Sequence, residues 1–306
     1  LSVYFVHYWP SFLFWLSCSN MCGKNRLYQK CGRIGNDVED DYRLIWFQHL
    51  HKSAGTLIVN MAIQNGEVLY DKHGNGNPKT EDGVVISLWE YDEKELTNFI
   101  DECETNGVTF IATEQGSPNF NILIKDPRVF LITCLRDPLR RSVSNFNYDY
   151  YSGYTDCTSL EKFIEKPNIY MSDNYYTRIF SNSEQLPLVD IGENEYRSAE
   201  KILLEFDLVL STNKSHMSLF SELNEIFGWI KKDSIQQHAT FGDYWKVINM
   251  LKKLEIRKLS RYLRRKDMAL GIESMESKYD LDYKLLKNYF MKNRKLDSCR
   301  SAAIKC

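Results

Sequence analysis

Lys52 and the small residues that follow it, Ser53-Ala54-Gly55-Thr56, are suited to holding an anion. They lie between two apolar runs, Leu44-Ile45-Trp46-Phe47 and Leu57-Ile58-Val59, an order that predicts a buried strand, a tight loop and a helix start. Small residues let the backbone approach a ligand closely. Amides at a helix N-terminus, together with the helix dipole, attract a phosphate or a similar anion. An ordinary ATP or GTP loop is disfavoured: it needs Gly, four residues, then Gly-Lys-Ser/Thr, whereas here the lysine precedes the small residues. His49 and His51 flank the loop. The plainer alternative is a strand-to-helix turn with an incidental lysine.

A second charged segment follows another apolar run. Arg128 to Leu135 predicts a strand, and it leads into Arg136-Asp137-Pro138-Leu139-Arg140-Arg141-Ser142-Val143-Ser144. Pro138 suits the first turn of a helix. Arg141 and Ser144 are three residues apart and so share a helix face. An arginine and a hydroxyl on one face can clamp a phosphate through charge-assisted hydrogen bonds, while Arg140 is expected to face solvent. A third group, Glu114, ends the strand predicted for Val108 to Thr113.

These groups need a scaffold that gathers them. Helices are predicted over Thr56 to Gln64 and over Glu93 to Asn106, and a strand over Val84 to Leu88. Asp71 to Gly83, rich in Gly, Asn and Pro, is expected to be a surface loop. Alternating strands and helices imply parallel βαβ units. Ligands of such sheets bind beyond the carboxyl ends of the strands, so Lys52, Glu114 and Arg136 are expected at one edge.

The chain has 306 residues, 43% hydrophobic and 26% charged, as for a globular protein. A net charge of −2 gives no global reason to expect nucleic acid as a partner. The eight cysteines do not fit zinc spacing, so no metal is expected, and Cys134 reads as a buried free thiol. The chain begins at Leu1, and Leu1 to Leu16 is apolar and aromatic, the expectation being the end of a truncated signal anchor. Asn20 to Asp41 reads as a polar stem. The expected division is 1–41 anchor and stem, 42–275 main domain and 276–306 helical tail. A basic stripe from Lys252 to Lys266, with Leu251, Leu254, Leu259 and Leu263 on its apolar side, offers contact to an acidic glycan or is simply a solvated helix face.

The two charged segments resemble the donor-binding motifs of sulfotransferases that use 3'-phosphoadenosine 5'-phosphosulfate (PAPS). Lys-Ser-Ala-Gly-Thr after a strand is similar to their 5'-phosphosulfate loop. Golgi carbohydrate enzymes carry His-x-Pro-Lys-Thr-Gly-Gly-Thr there, and this chain has His51 in place of the proline and Ser53-Ala54 for Thr-Gly. Arg136, Asp137, Pro138, Arg141 and Ser144 match the 3'-phosphate motif Arg-Asp-Pro-x-x-Arg-x-x-Ser in register. Asp173 to Arg178 resembles a segment that follows this motif, and Asp267 to Leu270 one near the domain's end. The resemblance spans roughly 43–271.

It implies an α/β, P-loop-like three-layer domain with a central parallel sheet flanked by helices. It also implies sulfuryl transfer from PAPS to a sugar hydroxyl, leaving 3'-phosphoadenosine 5'-phosphate (PAP). Lys52 would stabilise the leaving phosphate. Ser53, Ala54, Gly55, Thr56 and Leu57 would hold the 5' end, and Arg136, Arg141 and Ser144 the 3'-phosphate. Glu114 is the expected base, with His49 and His51 as rivals. His51 and Arg178 are expected to meet the acceptor. The implied setting is the Golgi lumen, with the chain anchored in the membrane as a single-pass type II protein. A soluble sulfotransferase acting on small molecules or tyrosine, or an inactive glycan- or nucleotide-binding relative, are the alternatives.

Overall fold

A computed structural model describes residues 42–165, 170, 172–213, 216–230, 244–263 and 272–303. The apolar segment Leu1 to Leu16, the stem and the Asp267 to Leu270 segment lie outside the described residues. Contacts divide the chain into Leu1–Asp41 and Tyr42–Cys306.

Tyr42–Cys306 is built on four parallel strands: β1 (Leu44–Gln48), β4 (Phe110–Thr113), β5 (Val129–Leu135) and β6 (Leu208–Ser211). Their order is β4-β1-β5-β6, with Trp46 opposite Ile111 and Leu131, and Cys134 opposite Leu210. Every residue of all four strands is buried, which is why they read as unbroken apolar runs rather than alternating ones. One face presents Leu44, Trp46, Ile111, Val129 and Leu131 to the main core. The other sets Phe110 and Phe130 against Trp229 and Phe227. The domain is therefore α/β, a parallel sheet with helices on both faces.

The helices α1 (Gly55–Gln64) and α2 (Glu93–Thr105) join β1 to β4, and α3 (Phe120–Lys125) joins β4 to β5. Asp92 starts α2 with a full capping box to Glu95. After β5 come α4 (Pro138–Ser152), α5 (Leu160–Ile164), α6 (Tyr175–Ser181) and α7 (Glu193–Leu204). Asp137 caps α4 by accepting from the Arg140 amide, and Pro138 fills the first turn. Following β6 are α8 (His216–Phe227), α9 (Tyr244–Lys252), α10 (Ile256–Leu263), a 3-10 turn at Ile272–Tyr279 and α11 (Asp280–Ala303). Among the described residues no helix is long and apolar enough to cross a membrane.

Three expectations are corrected. Val84 to Leu88 is not a strand: Val85 makes one bridge to Lys79, Val84 is exposed, and only Leu88 enters the core. Asp71 to Gly83 is not merely a loop, since it folds into a hairpin, β2 (His73–Gly74) and β3 (Asn77–Pro78), that packs on β4. The Ala112 amide donates to the Gly76 carbonyl at 2.9 Å, an edge contact that glycine and asparagine composition conceals. The expected C-terminal helix is α11, and its Leu285, Leu286 and Tyr289 belong to the main core. The basic stripe is broken at Leu254 (φ 54°) into α9 and α10. Leu251, Leu254 and Leu263 are exposed there, and Arg261 turns inward to the Tyr150 and Thr155 carbonyls.

Cys103, Cys134 and Cys157 are free thiols, with Cys103 and Cys134 buried. Burial pushes the Cys103 thiol up to about 12, so neither reactivity nor metal binding is favoured there.

Candidate functional site

Parallel strands deliver their carboxyl ends to one edge. The loop after β1, Glu114 after β4 and Arg136 after β5 meet there, bonded to one another. The Arg136 guanidinium donates to the Lys52 carbonyl at 3.3 Å, and His51 Nδ1 lies 2.7 Å from Glu114 Oε1.

The loop holds its shape through two left-handed residues, Lys52 (φ 65°) and Ala54 (φ 63°). Such residues at alternate positions turn successive amides into one concavity that suits an anion. The Ser53 amide closes a turn to Leu50, and the Leu57 and Ile58 amides both donate to the Ala54 carbonyl. Among the described residues no hydrogen bond claims the amides of Ala54, Gly55 and Thr56. Gly55 is required on steric grounds, because a Cβ at this position would fall inside the His49 ring. The Thr56 hydroxyl accepts from Asn75 at 3.3 Å.

Two loop residues do not have the ligand role expected of them. Leu57 is buried in the core and its amide is committed to Ala54, so it supports the loop from below. Ser53 is fully buried, and its hydroxyl lies 3.3 Å from that of Tyr176.

The second segment divides likewise. Arg136 is half-buried at its strand end, and Ser144 is half-exposed on α4. Arg140 is exposed. Arg141 is 1% exposed: its guanidinium lies 4.0 Å from the centre of the Tyr175 ring and donates to the Tyr170 carbonyl at 2.9 Å. Its work is to pin α4 to the Tyr170–Tyr176 segment. Arg178 is likewise interior, donating to the Asp173 and Val189 carbonyls and to the Asp173 carboxylate. A cation this enclosed is not available to an acceptor, which corrects the expectation for Arg178.

Glu114 sits between two histidines. His49 Nδ1 is 3.7 Å from Oε2, on the far side from His51. Burial pushes the Glu114 carboxyl up, but His49, the hydrogen bond from His51 and the charge of Lys52 outweigh it and hold the group below its ordinary value. Burial lowers His49, whose Nδ1 has no hydrogen-bond partner among the described residues. Asp149 on α4 also faces this cluster: burial raises it, and His51 and Lys52 oppose the shift.

No protein-family model matches this chain, and no curated protein matches it. The site therefore has to be understood from its own geometry.

That geometry includes residues whose roles the sequence did not disclose. The Tyr175 hydroxyl accepts from the His51 amide at 3.5 Å, and the Tyr176 hydroxyl contacts both Ser53 and Arg136. One tyrosine pair on α6 thus ties the two charged segments together. Asn77 accepts from the Glu114 amide at 2.7 Å, which makes the β2–β3 hairpin the seat of that carboxylate. Tyr148 and Tyr170 wall the edge: Tyr170 stacks on His51 at 4.6 Å, and the Lys52 ammonium lies 4.4 Å from the centre of the Tyr148 ring. The signal for these aromatics was the density of tyrosine at 148–154 and 170–176. The hydroxyl partners His51 and Ser53, more than a hundred residues away, left no local trace.

The arrangement has clear chemical capacities. Backbone amides and one arginine can bind an anion, Lys52 can counter charge that develops beside it, and a carboxylate–imidazole pair can accept a proton.

Proposed function

We propose that this protein is a PAPS-dependent sulfotransferase with a P-loop-like domain, transferring a sulfuryl group to a carbohydrate hydroxyl. The observation that carries the reading is the union, at one sheet edge, of the Lys52–Thr56 amide nest with Arg136, bridged by Tyr176. A donor with phosphate at both ends of a nucleoside needs two such anion sites at a fixed separation.

When bound, PAPS supplies a sulfuryl group on a phosphate leaving group. Ala54, Gly55 and Thr56 would hold the 5' end through amides that no other group among the described residues claims. Arg136 and Ser144 would hold the 3'-phosphate. Arg141 contributes by fixing the helix that carries Ser144, since its own guanidinium is enclosed. Lys52 would meet the negative charge that grows on the leaving oxygen, a task for an ammonium held in place before the reaction. The Glu114–His51 pair would take the acceptor proton. Tyr148 and Tyr170 offer ring faces on which a sugar can stack.

The test has two arms. Calorimetry with PAP measures donor-site binding. Transfer of radiolabelled sulfate from PAPS to a panel of glycans, with small phenols as controls, measures activity and class of acceptor. Failure to bind PAP overturns the reading, and transfer to phenols alone overturns the carbohydrate assignment.

A further inference from the structure

His51 is held on several sides. Its Nδ1 lies 2.7 Å from Glu114 Oε1, the Tyr170 ring stacks on it at 28°, and Tyr148 meets it edge-on at 5.7 Å. Its amide is tied to the Tyr175 hydroxyl. A carboxylate at that distance accepts a hydrogen, so in the neutral ring Nδ1 carries the hydrogen and Nε2 the lone pair. Among the described residues no hydrogen bond reaches Nε2, and the side chain is 15% exposed. His49 is different: 4% exposed, stacked on Phe47 and closed over by Gly55. No acceptor can reach it.

We infer that His51 Nε2 takes the proton from the acceptor hydroxyl, and that Glu114 is the positioning carboxylate behind it. The inference rests on the sulfotransferase reading above and assigns the proton path within it. The acceptor oxygen bonds to sulfur as its proton passes to Nε2. The bond from sulfur to the bridging oxygen breaks, and that electron pair stays on the 5'-phosphate of PAP beside Lys52. The imidazolium so formed points Nδ1–H at Glu114, as in a carboxylate–histidine catalytic pair. It afterwards loses its proton to solvent.

The groups facing His51 support this division of labour. Glu114, Asp149, Lys52 and His49 are the titratable groups that surround the ring. Tyr148, Tyr170 and Tyr175 line it with hydroxyls that burial holds in their neutral form. Glu114, kept ionised and already engaged, is a weak proton acceptor. Its two oxygens serve better to fix the ring and steady its charge.

His51→Asn keeps a donor toward Glu114 and removes Nε2. It is expected to lower kcat about 100-fold or more with PAP affinity unchanged. Glu114→Gln is expected to lower kcat less, about 10-fold on the scale of a single charged hydrogen bond, and to move the acidic limb of the rate profile to lower pH. If His51→Asn keeps most of the turnover, or if Glu114→Gln costs as much and abolishes that limb, the inference is overturned. Nitrogen-15 spectra of the imidazole rings, assigned with His51→Asn, need no acceptor: Nδ1–H on His51 supports the inference and Nε2–H overturns it. PAP calorimetry on the unaltered protein separates the two levels. Loss of the inference with PAP bound leaves the sulfotransferase reading standing, and absence of PAP binding removes both.

Discussion

Tyr176 and Arg136 form a closed pair: the Arg136 amide donates to the Tyr176 hydroxyl at 3.1 Å, and the hydroxyl donates back to the Arg136 carbonyl at 2.9 Å. The Ser53 hydroxyl is 3.3 Å from the same oxygen. One buried phenol thus fixes the distance between the loop after β1 and the strand end of β5. Tyr176→Phe leaves the buried Ser53 hydroxyl and the half-buried Arg136 amide and carbonyl short of a partner. Stability is expected to fall by about 1–3 kcal/mol, read from urea denaturation, and PAP affinity is expected to fall with it.

Lys52→Ala removes the ammonium beside the proposed leaving group but none of the loop amides. Transfer is expected to fall by about 100-fold or more, while calorimetry shows PAP bound nearly as well as before. Full activity in this variant would remove Lys52 from the chemistry.

Gly55→Ala drives a methyl into the His49 ring. The loop must shift, and PAP affinity is expected to fall at least about 10-fold, the scale of one lost charge-assisted hydrogen bond. His49→Ala alone opens a cavity of modest cost. The double variant His49→Ala with Gly55→Ala is expected to recover most of the affinity, because the clash has gone. Strict additivity of the two losses would show that the two positions do not act through contact.

Asp282 on α11 is fully buried, and burial pushes its carboxyl up to about 6 against the hydrogen bonds from the Thr177 and Tyr176 amides. The folded state therefore binds this proton more tightly than the unfolded chain. Between about pH 4 and pH 6 the unfolded form releases it first, so the contribution of Asp282 to stability declines as pH rises through that window. A difference of about two pH units corresponds to about 3 kcal/mol. Denaturation midpoints followed from pH 4 to pH 7 are expected to show the decline in the unaltered protein and its disappearance in Asp282→Asn. An equal slope in both proteins would assign it elsewhere.

The sheet edge was legible because its strands are buried on both faces, and Leu44 to Phe47 and Val129 to Leu135 announce that as unbroken apolar runs. Lys52, Glu114 and Arg136 then follow from parallel order alone. Arg141 and Arg178 were misjudged because a sequence reports charge and spacing but not enclosure. Their guanidiniums are held by carbonyls from other segments. Asn75 and Asn77 read as loop residues, since nothing local shows that β4 needs them as an edge. Tyr175, Tyr176 and Asp282 belong to the site through contacts that cross from 40 to more than a hundred positions of chain.

Helix α6 touches the loop and Arg136 at one end of its tyrosine pair, and it is capped by Asp282 at the other. Reciprocity makes this a two-way bond: whatever an anion in the loop gains from a docked C-terminal helix, that helix gains from the anion. Amide exchange at Tyr176, Thr177 and Asp282 should slow when the nest is filled, and cleavage of the chain ahead of Asp280 should weaken the nest from more than two hundred residues away in sequence. Helix α11 is, in this sense, a thermodynamic sensor of what lies over Lys52.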